Sequence, residues 1–254
     1  MENRVNPTAA VKTGWSLTKE HLIVSLGLIL GYCVVNMLMG FLPTEGIMSL
    51  VSSLLTLAIS SAWTLGMTRI TICAVDGEEP QFSMFGEAMH RFGSMVLLML
   101  ALFGIMMVPI IVILIIALIL GFNVDALEGI VSSNPYEMME AMQSMGMLFL
   151  LIMIPCIYLG IRFIFAPYVL VDRGLGVIDS IKASWTASAP IQGRILVFML
   201  LIFLAYIIGF VCFFVGLFIS TITALYAQAA FYRQVFPAGI QDPLMVEDAN
   251  VVMN

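Results

Sequence analysis

MVLLMLALFGIMMVPIIVILIIALIL, residues 95–120, runs for 26 residues without one charged side chain. A helix rises about 1.5 Å per residue, so some 20 apolar residues cross the ~30 Å hydrocarbon core of a bilayer. Working outward, five more such runs stand at 22–42, 47–73, 145–167, 195–215 and 217–235. The last two form one apolar block too long for a single span, and a tight hairpin near Gly216 is expected to divide it. The fold class expected is all-α: a polytopic membrane protein with six transmembrane helices in a single domain over 1–235. An acidic tail, 236–254, is expected to be disordered in the cytoplasm. Composition agrees, with 61% hydrophobic and 10% charged residues, where soluble domains carry about 25% charged.

With six spans, both termini lie on one side. All ten Lys and Arg residues then fall on that side or at its membrane edge, whereas Glu45, Asp125, Glu128, Glu137 and Glu140 lie on the other. The excess of basic residues in cytoplasmic segments places both termini in the cytoplasm. The first span is long and lacks a small-residue cleavage site, so it reads as a span and not as a cleaved leader.

Three polar segments precede the odd-numbered spans. AVKTGW (10–15) aligns with SIKASW (180–185), and VDGEEPQFSMF (75–85) with VDRGLGVIDSI (171–181). Phe82, Phe85 and Met89, and likewise Ile178, Ile181 and Trp185, are spaced as one face of a helix. Short helices of this kind lie in the membrane interface, with Trp15, Phe82, Phe85, Ile178, Ile181 and Trp185 as anchors at headgroup depth. Asn6 is the expected N-cap of the first, with Pro7 at its first helical position. The pattern suggests three units, about 7–73, 80–167 and 176–235, each a cytoplasmic elbow helix followed by two spans. Trp15 to Met89 is 74 residues and Met89 to Trp185 is 96, and the excess equals the 22 residues of the outside loop 123–144.

The fourth span ends in Arg162-Phe163-Ile164-Phe165-Ala166-Pro167-Tyr168, followed by Val171-Asp172 and then the segment from Ile178 to Trp185. This order resembles that of a group of stand-alone bacterial six-span proteins, similar to the membrane domain fused to some glycerophosphodiester phosphodiesterases. The resemblance implies a bacterial inner-membrane protein without the phosphodiesterase. The fused enzymes use a separate barrel with paired His and Glu, for which this chain has no room and only His21 and His90. No catalytic residue is carried over.

The residues that could carry chemistry are few. Arg173-Gly174-Leu175-Gly176 lacks the third glycine and the preceding strand of a dinucleotide loop, and reads as a turn. Asp76-Gly77 resembles the start of the CDP-alcohol phosphotransferase pattern, but Glu78-Glu79-Pro80 breaks it. Arg69 and Arg162 lie inside the inner ends of even-numbered spans. Such charges are functional candidates by default, although both could snorkel or pair with Asp76 and Asp172. These four are the candidate ligand or lipid-headgroup residues. Met138, Met142 and Met145 share a helix face that would suit Cu(I), but a helix capped by Asn134-Pro135 is the favoured reading. Four scattered cysteines and two histidines offer no zinc site, and no cofactor is expected. Gly27 and Gly31, and Ala224, Ala227 and Ala230, form small-residue faces suited to helix packing within the chain or in a homodimer.

The function expected is that of a non-catalytic membrane protein that binds lipid or a membrane-protein partner, and not nucleic acid. A transporter or channel component for a small solute is the first alternative. A membrane enzyme acting on lipid headgroups is the second, and it would need Asp76, Glu79, Asp172 or Asp179 to converge.

Overall fold

The computed structural model describes residues 5–41, 45–119 and 135–238, without the side chains of 135, 137–145, 147, 213 and 214. The side chains of Met138, Met142 and Met145, most of the loop 123–144 and nearly all of the acidic tail therefore lie outside what is described. The described chain is helical and contains no strand. In chain order the helices are α1 (Pro7–Glu20), α2 (Leu22–Met39), α3 (Gly46–Val75), α4 (Phe82–Glu87) and α5 (Phe92–Ile119). They continue as α6 (Pro135–Phe163), α7 (Ala166–Asp172), α8 (Val177–Ser188), α9 (Gln192–Val211) and α10 (Phe213–Val235). Short 3-10 turns lead from α4 into α5 and from α8 into α9. Six helices are long and apolar enough to cross a membrane, as the hydrophobic runs predict.

The first helix starts as expected. Asn6 Oδ1 accepts from the backbone N–H of Thr8 at 3.1 Å and of Ala9 at 3.2 Å, and Pro7 takes the first position. Two boundaries differ from the sequence reading. The fourth span stops at Phe163, and Pro167 opens α7 instead of closing the span, because proline fits a first helical turn. The last hairpin breaks at Cys212, not at Gly216. Gly216 instead lets two antiparallel helices touch: a Cβ on Gly209 would lie 2.7 Å from the Gly216 carbonyl oxygen. Ser220 strengthens this crossing by donating to the Ala205 carbonyl at 2.8 Å.

The three short helices each meet a second span. α1 lies on α10, α4 on α3, and α8 on α6 and α7. On their outward sides Trp15, Phe82, Ile178 and Trp185 are exposed, with Phe85 and Ile181 half-buried. Their protein-facing sides are built from small residues. Ala10, Gly14 and Thr18 are buried on α1, and Ser180, Ser184 and Ser188 on α8. Ala10 and Gly14 align with Ser180 and Ser184 in AVKTGW and SIKASW, and Thr18 and Ser188 continue the same register. Small residues let backbones approach: a Cβ on Gly14 would lie 2.7 Å from the Ala227 nitrogen. Thr18 and Thr223 hydroxyls then meet at 3.1 Å across the α1–α10 contact.

Inside a bilayer, lipid tails are as apolar as leucine, so packing and hydrogen bonds hold helices together. The core uses both. Ala224, Ala227 and Ala230 are buried, as the small-residue reading of α10 expects. Around them Phe165, Tyr168, Phe198, Phe231, Tyr232 and Phe236 form one aromatic cluster, with Phe198 stacked on Phe231 at 4.6 Å and Tyr168 on Tyr232 at 5.3 Å. This core joins α7, α9 and α10 close to the charged end of the bundle.

Candidate functional site

Asp76 and Asp172 are both placed by glycine-terminated helix ends. At the end of α3, Gly77 has φ +89, and the N–H groups of Gly77 and Glu78 reach back to the carbonyls of Ala74 at 3.3 Å and Cys73 at 2.9 Å. Only glycine adopts that left-handed conformation without strain, so the helix stops there and Asp76 caps it. At the end of α7, Gly174 has φ +69 one residue beyond Arg173. Arg173-Gly174-Leu175-Gly176 is thus a turn between two helices, as expected.

The two carboxylates converge, and Arg233 of α10 joins them. Its Nε and Nη2 donate to Asp76 at 2.8 and 2.6 Å. Its Nη1 and Nη2 donate to Asp172, each at 2.7 Å. Planar guanidinium groups suit this two-pronged geometry, and here one guanidinium serves two carboxylates. Tyr232 adds a hydroxyl donated to Asp172 at 2.7 Å. Arg173 stands 4.0 Å from the same carboxylate, lies over the Phe236 ring, and donates to the Pro237 carbonyl at 3.5 Å. Two acids face two arginines, so the formal charge of the joint cancels. The ends of α3, α7 and α10 are tied at one point, with the side chains of Arg233 and Asp172 only 12% and 13% exposed.

Arg69 and Arg162 do not pair with these acids. Arg233, distant in sequence and absent from the candidate set, takes both positions. Its one sequence signal is a cation beside a tyrosine at the inner end of the sixth span, where Arg69 and Arg162 mark the second and fourth. Arg162 is 6% exposed and lies 3.8 Å over the Trp185 ring, with Tyr158 on its other flank at 5.8 Å. Among the described residues, its Nε and Nη1 have no hydrogen-bond partner. Its carbonyl accepts from Ser184 at 2.8 Å and Ser188 at 3.2 Å, so the residue also anchors α8 to α6. Arg69 is half-buried on α3. Glu79 and Asp179 are exposed and take no part in the joint. Among the described residues, no three His, Cys, Asp or Glu side chains gather where a metal could sit.

Chemically, the joint is occupied by its own partners. A carboxylate that accepts two or three charge-assisted bonds is held in one orientation, the arrangement of a clasp. Comparison of the chain with protein-family models, curated proteins and solved structures returns no match.

Proposed function

We propose that this chain is a non-catalytic integral membrane protein that binds lipid or a membrane-protein partner. The observation that carries the reading is that Asp76 and Asp172 are both paired with Arg233, with Tyr232 also donating to Asp172. The enzyme alternative relied on those acids, and their convergence serves a structural clasp. Further support comes from the outward aromatic and aliphatic residues of α1, α4 and α8, which suit an interface with headgroups.

The setting that fits best is a bacterial cytoplasmic membrane with both termini inside. The likeness to the membrane domain of certain phosphodiesterases belongs to the same proposal. So does the three-unit architecture: α1 rests on the second span of the third unit, α4 on that of the first, and α8 on that of the second. Each elbow thus rests on the unit before it, closing a ring.

Purification in mild detergent, followed by mass spectrometry of co-purifying molecules, tests the function. Stoichiometric lipid or one recurrent protein is expected. A stoichiometric polar solute with neither would replace this reading with a transporter. Reporter fusions test the orientation: a fusion at Asp179 should report inside and one at Glu137 outside, and the reverse would overturn it.

A further inference from the structure

A cleft of about 500 Å³ opens between α2 and α3 beneath α4. Gly27, Gly31, Tyr32, Ala62, Trp63 and Phe82 line it. Tyr32 and Trp63 stack at 4.4 Å to form one wall. The glycines do not serve helix packing within the chain. A Cβ on Gly31 would meet nothing within 4 Å, and one on Gly27 would meet only the tip of Phe82 at 3.8 Å. Both bordering helices are apolar enough to span a membrane, so the cleft opens at hydrocarbon depth.

Beyond one end of the cleft, on the same face of α3, stands a cation. Phe85 of α4 lies against Gly66, one turn beyond Ala62 toward Asp76. Arg69 follows, seven residues from Ala62 and so two turns along the same helix face, about 10 Å higher. It is half-buried, and no hydrogen bond or ion pair joins it to a described residue. The nearest acid along its helix, Asp76, is taken by Arg233. A buried or half-buried cation in a membrane gains strongly from an anionic partner.

We infer that the cleft holds an acyl chain of a phospholipid whose phosphate pairs with Arg69. The inference rests on the lipid-binding reading and names its site. An apolar cleft with a guanidinium about 10 Å further along the same helix face complements a molecule with hydrocarbon at one end and a phosphodiester at the other, and the volume falls within the usual range of ligand sites, about 300–1,000 Å³.

The full chain is to be reconstituted in mixed phosphatidylethanolamine–phosphatidylglycerol vesicles and extracted in mild detergent. Bound phospholipid per chain is then counted by mass spectrometry. Gly31→Leu fills the cleft where space is open, so it should remove one retained phospholipid while leaving the thermal midpoint unchanged or raised. Arg69→Gln should weaken retention about tenfold, and inorganic phosphate alone should not displace the lipid from the wild type. Wild-type lipid counts in Gly31→Leu would overturn the cleft assignment while sparing lipid binding in general. Wild-type retention in Arg69→Gln, or displacement by inorganic phosphate, would overturn the headgroup assignment. Loss of a dimer in Gly31→Leu, at unchanged lipid count, would give the cleft to a second copy. A wild type that retains no phospholipid would remove the broader lipid reading as well.

Discussion

The sixth and third spans invert the rule of soluble cores. The span Val215–Val235 has the lower mean hydropathy, 1.4, and is 56% buried, whereas Phe82–Ile119 has 3.2 and none of its most apolar window is buried. In water the most apolar segment goes inside. In a bilayer, lipid already satisfies apolar side chains, and what must find protein is the polar, small or aromatic-hydroxyl group. α10 carries Thr223, Tyr226, Tyr232 and Arg233 inward, each with a partner. The first span is the intermediate case: it is 11% buried and brings Ser25 to Tyr226 at 2.7 Å. Hydropathy alone does not sort the spans, since Gly46–Val75 at 1.5 is only 6% buried; polar and small groups that meet partners mark the core.

The largest break in that contrast comes from Arg233→Gln. It leaves Asp76 and Asp172 together without their shared cation; with Asp76 solvent-exposed, the cost is about 1.5–3 kcal/mol, that of losing charge-assisted hydrogen bonds. Unfolding in a detergent–denaturant titration should show the loss, and adding Asp76→Asn and Asp172→Asn should restore part of it. If the single variant is as stable as wild type, the clasp contributes nothing. Gly14→Leu is next: the Ala227 backbone lies 2.7 Å from where its Cβ would be, so α1 must lift from α10. Overpacking of this kind costs about 1–3 kcal/mol. The same substitution at Gly31 should cost nothing, and equal losses at both glycines would erase the distinction between the packed and open faces.

Two smaller tests sharpen it. Asn6→Ala removes the cap of α1 and should cost about 1 kcal/mol, read as earlier proteolysis or faster amide exchange in 7–12. Ser184→Ala removes a bond donated to the Arg162 carbonyl at 2.8 Å and one accepted from the Phe165 N–H at 3.2 Å. Side-chain bonds between membrane helices average about 0.6 kcal/mol, so a shift of that order is expected. A loss as large as that of Arg233→Gln would make the α8 contact, and not the clasp, the main fastening of the bundle.

The six spans, the short helices before the odd ones, the Asn6 cap and the turn at Gly174 follow from the sequence alone. Each rests on local signals: run length, a 3.6-residue period, a capping side chain, a glycine free to take positive φ. The small-residue stripes Ala10–Gly14–Thr18 and Ser180–Ser184–Ser188 are also legible at helical spacing. What only the tertiary structure decided is which charges meet. Asp76, Asp172 and Arg233 are separated by 157 and 61 residues of chain, and nothing local distinguishes Arg233 from Arg69 or Arg162 as their partner. The choice is made when α3, α7 and α10 pack side by side, because a charge inside a membrane is settled by whichever opposite charge the folded helices bring within reach. The same packing leaves Gly31 open and Gly216 closed. Glycine spacing marks where close approach is permitted, and the arrangement of the helices determines whether a neighbour arrives.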